Sequence, residues 1–535
     1  MRAVNPGGAS PWRRLAAAHW PLALILLTTV LVYLPSLAGP LLGYDDDWLV
    51  TRNTILRDSS LRALGQIWLD LSRPTRLVLG AEYLPVRDTN LWLEARLWGL
   101  GPGSLRLSQL ALYLGAVAAL RAALHRAWPE PIAVELTTAL FALHPVHAES
   151  VAWIASRKDV LALLFVALSL RAYVAERRAL RWLAPVAIGL ACLSKSMSVA
   201  APALLPTLDL LSRRRPDWRV LAASIAVAAL SLWPHLTVGA TMHMVTTPLG
   251  GSRLTAALSM GPVWLRYLEL LLYPASLSVV HEVAPLTRLT AASAAGWALL
   301  ALWAAAGAGL WWRRGRPLAL VTFVWFAAPL APVSQIAFPL QNAMADRYAF
   351  LSVVALGLAV GAGVSAAVAR LPPGWRRAAA LAAALAMGAP ASRAAERAAL
   401  FADEVALFTD AMAKAPGSCV PPYQIGVHRL EHGDVPGAIS ALEAALARCA
   451  PPAETARRAT TNLARALVAA GRLADAERVL RAGRAAWPDD PKQLANLMRV
   501  VARRGGHAEA RALFDELRRR FPTYLDDRER IPVGP

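Results

Sequence analysis

Uncharged apolar stretches of about 17–25 residues recur along this chain, and no other feature narrows its fold as much. The first runs from Trp20 to Leu42 without an Asp, Glu, Lys or Arg. A helix rises about 1.5 Å per residue, so such a run crosses a hydrocarbon layer of about 30 Å. Hydrophobic residues make up 56% of the chain and mean hydropathy is +0.41, values that exclude a disordered chain and an ordinary soluble enzyme. The first stretch is too long for a cleaved leader and lacks a small-residue cleavage pattern, so it is expected to stay as a membrane helix.

Helices are predicted near residues 19–41, 106–124, 132–152, 159–175, 182–194, 197–211, 219–239, 290–311, 317–336, 349–369 and 377–391, about eleven crossings. The chain carries 56 Lys+Arg against 36 Asp+Glu, a formal charge of +20. In a polytopic protein such an excess reports orientation before it reports nucleic acid, and no nucleic-acid partner is expected. Arg13-Arg14, Arg177-Arg178, Arg213-Arg214-Arg215, Arg313-Arg314 and Arg376-Arg377 fall on alternate connections, which places them and the N-terminus in the cytoplasm. Residues 261–280 are interrupted by Arg266, Glu269 and Pro274 and read as an interfacial helix on the outer face.

That parity turns four polar segments outward. They hold Tyr44-Asp45-Asp46-Asp47 with Tyr83 to Asp88, His144 to Asp159, Lys195, and Asp346-Arg347-Tyr348. Carboxylates at the water interface could deprotonate a hydroxyl, directly or through a bound divalent cation. Arg157, Lys158, Lys195 and Arg347 suit a phosphate, because Arg grips two oxygens and Lys supplies a point charge. Lys195 is the only charge between Arg181 and Asp209, which headgroup anchoring explains poorly. His144 and His147 have metal-ligand spacing, but no third ligand has a fixed spacing and Pro145 disturbs the helix. Hydrogen bonding to a phosphate, a sugar hydroxyl or Glu149 is the expectation, and no metal ligand is assigned. Trp48, Trp68, Trp92, Trp98 and Trp153 read singly as an interfacial belt, or as faces for a sugar ring.

Tyr44-Asp45-Asp46 with Val50 to Asn53, Tyr83-Leu84-Pro85-Val86, the run Phe141 to Asp159, Leu193-Ser194-Lys195-Ser196-Met197 with Pro202 and Asp209, Tyr273 to Ser278, and Ala345-Asp346-Arg347-Tyr348 together resemble a known family. It is the transmembrane and tetratricopeptide-repeat-containing O-mannosyltransferase family, with its bacterial relatives. The resemblance covers nearly the whole chain, and the His-Pro-Val-His to Arg-Lys-Asp run is its most specific part. It implies a GT-C glycosyltransferase fold, all-α, in which a polytopic helical domain takes a sugar from a polyprenyl-phosphate donor outside the cytoplasm. It implies Asp45 or Asp46 as base in an inverting displacement, with Asp47 the weaker match. Arg157, Lys158, Lys195 and Arg347 would stabilise the phosphate leaving group. His144, His147 and Glu149 match its motif as contacts to donor, acceptor or each other, and with Arg87 and Trp153 they are the candidate substrate-binding residues.

From about Ser392 the apolar runs give way to amphipathic helices. Gly471 and Gly505, Ala476 and Ala510, and Pro488 and Pro522 are each 34 residues apart, the tetratricopeptide period. An earlier copy holds Gly426, Gly433, Ala438 and Ala445. The expected division is a membrane domain over 1–391 and a repeat domain over 392–535, whose concave face would bind an extended acceptor polypeptide or serve as a spacer. An odd number of crossings puts the repeats outside, in the periplasm of a bacterial inner-membrane protein. There Cys419, before a helix hairpin, and Cys449, at its end, are expected to form a disulfide. Cys192 lies in an apolar run as a small core residue. Two other readings stand beside the enzyme: transfer to a lipid or envelope glycan, and a scaffold whose repeats assemble envelope complexes. A transporter would spread ionisable residues along a mid-membrane path.

Overall fold

The computed structural model describes residues 11–242, 247–451, 453–522 and 524; the side chains of Arg13 and Arg14 lie outside the described residues. Every regular element among the described residues is helical. The chain divides into two compact units, Met1–Leu277 with Val283–Asp403 and Ser278–Glu282 with Glu404–Pro535. This division falls beyond the 391/392 boundary read from composition, because the helix Gly388–Ala399 buries Ala391, Ala394 and Ala398 within the first unit and packs against Pro11–Tyr33.

The first unit is an integral membrane domain. Among the described residues six helices are long and apolar enough to cross a bilayer: His19–Ala38, Pro102–Ala127, Trp218–Thr241, Ala291–Arg314, Val353–Arg370 and Pro373–Leu400. Their ends follow local chemistry. Ala291–Arg314 opens with Thr290 accepting from the Ser293 amide, and it closes at Gly315 with Arg313 and Arg314 in its last turn. Gly357 and Gly361, four apart, let Val353–Arg370 lie against Pro131–Leu143: an added Cβ would stand 2.8 Å from Thr137 Cγ2 and 2.5 Å from the Ala133 carbonyl.

Two expected spans are broken rather than continuous. The helix Pro131–Leu143 stops at His144, which is extended ahead of Pro145, as a residue preceding proline tends to be. Short turns then lead through Trp153 to the helix Arg157–Tyr173. The helix Leu183–Ser194 likewise ends at an extended Lys195, and a 3₁₀ stretch, Ser196–Leu204, precedes Leu205–Ser212. Irregular backbone shielded from water needs hydrogen-bond partners within the protein. Every residue from Leu136 to Arg157 is buried. The segment read as interfacial, 261–280, falls largely in the helix Arg253–Leu272, which meets Ala291–Arg314 near its start, through Ser293, Gly296 and Trp297.

The second unit stacks three helix hairpins, Val420–Glu431 with Val435–Arg448, Glu454–Ala469 with Leu473–Ala486, and Pro491–Arg503 with His507–Arg520, after the helix Glu404–Lys414. Gly433, Gly471 and Gly505 turn each hairpin with φ between 75° and 89°, a region closed to most side chains. Ala438, Ala476 and Ala510 are buried where the paired helices approach, around Leu442, Leu463, Leu480 and Leu497.

Cys419 and Cys449 are bonded, their Cα atoms 5.6 Å apart. Closing a loop of this length contributes about 3–4 kcal/mol in the chain-entropy model. Alkylation of the denatured full chain, purified without reductant, is expected to label Cys192 alone of the three cysteines. Labelling of all three would leave the repeats without their bridge and argue for a reducing compartment.

Candidate functional site

The polar segments are tied together by side chains of the first unit. Asp46 is fully buried: one carboxylate oxygen accepts from the Leu42 amide at 3.0 Å and the other from the Ala155 amide at 2.8 Å. Burial pushes this carboxyl up to about 7, against the pull of the two amides and Arg106. Its role is to pin the loop after the first helix onto the segment before Arg157. Asp47 pairs with Arg52 at 2.5 Å. Asp45, which precedes both, is half-buried. Its neighbour Tyr44 stacks on Trp153 with ring centroids 5.3 Å apart. Burial and Asp45 push the Tyr44 phenol up to about 12 while Arg347 pulls it down, so Asp45 and Arg347 act on one point.

Three ion pairs complete the cluster. Lys158 Nζ donates to Glu82 at 2.7 Å, Lys195 donates to Asp159, and Arg347 pairs with Glu149, whose second oxygen accepts from the Arg347 amide at 3.1 Å. Glu82 loses solvent, which disfavours its charge, but Lys158 and Arg87 outweigh that and hold it at about 2. Lys195 stands 5.6 Å from the Tyr348 ring centroid, and Arg347 stands 5.7 Å from that of Trp153. Beside them opens a narrow crevice of about 30 Å³. Asp159, Lys195 and Arg347 form its charged lining, and Ala162, Leu163, Leu204 and Pro329 are among its apolar walls.

Not every residue singled out from the sequence reaches this crevice. Arg157 is turned inward with no exposed surface; its guanidinium bonds Glu94, the Leu105 carbonyl, Asn90 at 3.0 Å and Ser108 at 3.0 Å. So placed, Arg157 offers the crevice no exposed surface and ties the start of its helix to Pro85–Leu97 and Pro102–Ala127. Arg87 is buried against Asp88, Glu82 and the Leu79 carbonyl at 2.7 Å, which leaves it holding Glu82 rather than meeting substrate. His144 meets the Leu271 carbonyl at 3.0 Å and the Val146 amide at 3.2 Å. His147 lies between the Tyr113 hydroxyl at 2.7 Å and the Phe350 carbonyl at 2.9 Å. All four ring nitrogens have protein partners, so both histidines fasten the broken helix instead of facing the crevice. Glu149 fixes Arg347, and buried Trp153 supplies the face on which Tyr44 rests.

Glu82, Asp159 and Tyr348 join the cluster without having been given a role from sequence. A signal for Asp159 was present, because a lone Lys195 between apolar helices requires a counter-ion. Among the described residues no three His, Cys, Asp or Glu side chains converge as a metal-binding set, and Asp46 and Asp47 are each turned to a separate partner.

The class these features define is an integral membrane protein with a helical-repeat unit. Within that unit, residues 429–501 match the tetratricopeptide repeat family model. Among solved structures, the chain is similar to the oligosaccharyltransferase of Archaeoglobus fulgidus. The apo form aligns with a TM-score of 0.42 at 16% identity, over 72% of this chain and 56% of that one. The same enzyme tethered to an acceptor peptide containing the NVT sequon aligns with a TM-score of 0.40 at 14% identity, over the same shares. This chain thus spans little more than half the length of that protein. No curated protein matches it.

Proposed function

We propose that the chain is a membrane glycosyltransferase that moves a hexose, mannose by the family resemblance, from a polyprenyl-phosphate donor to a Ser or Thr hydroxyl. The observation that carries this reading is the crevice, where Lys195 and Arg347 stand at the head of apolar walls. A phosphate on an isoprenoid chain has that polarity: an anion for the two cations and a hydrocarbon for the walls. Asp45 takes the proton of the acceptor hydroxyl, the oxygen forms a bond to the anomeric carbon, and the bond from that carbon to the phosphate oxygen breaks. The electron pair leaves with the polyprenyl phosphate, whose charge Lys195 and Arg347 neutralise, with Lys158 nearby. A single displacement inverts the anomeric centre. The site faces the periplasm of a bacterial inner membrane, and the repeats on that side present the acceptor polypeptide.

Glycopeptide mass spectrometry of envelope proteins, from cells with and without the chain, tests the acceptor. Hexose-bearing Ser or Thr peptides present only with the chain are the expected result. An unchanged set would sink the protein-acceptor reading and direct the search to envelope lipids and glycans.

A further inference from the structure

The helix Arg157–Tyr173 runs away from the crevice, and its 17 residues rise about 25 Å, close to the thickness of the hydrocarbon layer. At its far end two connections, distant in sequence, are locked to each other. The Tyr173 hydroxyl donates to buried Asp209 at 2.6 Å and accepts from the Asp217 amide at 3.3 Å, and Arg181 pairs with Asp217 at 3.3 Å. Arg214 lies 3.7 Å from Asp209, and Glu176, the remaining acid here, pairs with Arg126 at 2.5 Å. The acids of this corner are thereby engaged from within.

Five further guanidinium groups surround the lock: Arg177, Arg178, Arg213, Arg215 and Arg219, all exposed. Among the described residues none of the five has a carboxylate partner. Trp182 and Trp218 flank them, 51% and 67% exposed, and amphipathic indole rings settle where acyl chains meet headgroups. Orientation alone asks only for cations on this side. It does not ask for two loops joined by a buried Tyr–Asp contact so that their arginines share one surface between the helix ends.

We propose that this corner is a binding site for the headgroup of an anionic phospholipid in the leaflet opposite the crevice. The phosphodiester would meet the unpartnered arginines, and the acyl chains would run down the exposed apolar faces of Leu183–Ser194 and Trp218–Thr241. The proposal rests on the membrane reading and is independent of glycosyl transfer.

The test is native mass spectrometry of the full chain in detergent, titrated with equal amounts of phosphatidylglycerol and phosphatidylcholine. Wild type is expected to retain phosphatidylglycerol preferentially. Because an arginine at an anionic surface contributes about fivefold, the Arg177→Gln/Arg178→Gln/Arg213→Gln/Arg215→Gln variant should lose at least about tenfold of that preference. The matched variant Arg313→Gln/Arg314→Gln/Arg316→Gln/Arg377→Gln, drawn from basic clusters outside this corner, should keep it. Equal retention of the two lipids by wild type would overturn the proposal whatever the variants do. So would an equal fall in both variants, which would reduce the effect to net charge.

Discussion

Asp45→Asn is expected to lower hexose transfer by about 10²- to 10⁴-fold, the range a positioned general base contributes, with accumulation and unfolding temperature as in wild type. The reason lies in the difference between adjacent carboxylates. Asp46 is fully buried with both oxygens on backbone amides, so it presents no surface to an acceptor hydroxyl. Asp45 is half-buried beside Tyr44, on whose phenol Arg347 also acts. Asp46→Asn should behave differently. An amide NH₂ would then face one of the two backbone N–H groups, leaving a buried donor unsatisfied at about 1–3 kcal/mol, and the loop would loosen. Glycopeptide yields from cells at equal expression, set beside thermal unfolding of the purified variants, separate the two roles. If Asp46→Asn unfolds like wild type and abolishes transfer while Asp45→Asn remains active, the base has been assigned to the wrong residue.

The physical origin of each signal decides how much of this was legible in the sequence. Helices came from the apolar runs and the hairpins from the 34-residue recurrence, because each pattern reflects the burial it produces. Proline and glycine located the ends of several elements, as at Pro145 and Gly315. Which way a charged side chain turns left no such trace. Arg157 and Lys158 are neighbours, yet one is sealed among Glu94, Asn90 and Ser108 and the other reaches Glu82 near the surface. Composition and spacing treat the pair alike; only the packing of Pro85–Leu97 and Pro102–Ala127 against Arg157–Tyr173 separates them. The His-Pro-Val-His run was the most specific motif and proved to be wholly interior, because its two imidazoles meet the Leu271 and Phe350 carbonyls and so tie the broken helix to segments distant in sequence.

Arg157→Met is expected to destabilise the membrane unit by about 3–5 kcal/mol, since removing one partner of a buried pair strands the other charge. Glu94 would stay buried with its neighbours Ser108 and Asn90, neither of which carries a positive charge. Glu94→Leu alone should be as damaging, because it leaves the Arg157 guanidinium without its carboxylate. The combined Arg157→Met/Glu94→Leu variant removes both charges and should recover most of the lost unfolding temperature, as replacement of buried pairs by apolar residues often does. Activity then decides between two roles for the arginine. If Arg157 only positions the start of its helix, beside Lys158 and Asp159, transfer should return along with the fold. If the guanidinium met the donor phosphate, the stable double variant would still lose transfer, and recovery of structure without recovery of activity would restore Arg157 to the catalytic set alongside Lys195 and Arg347.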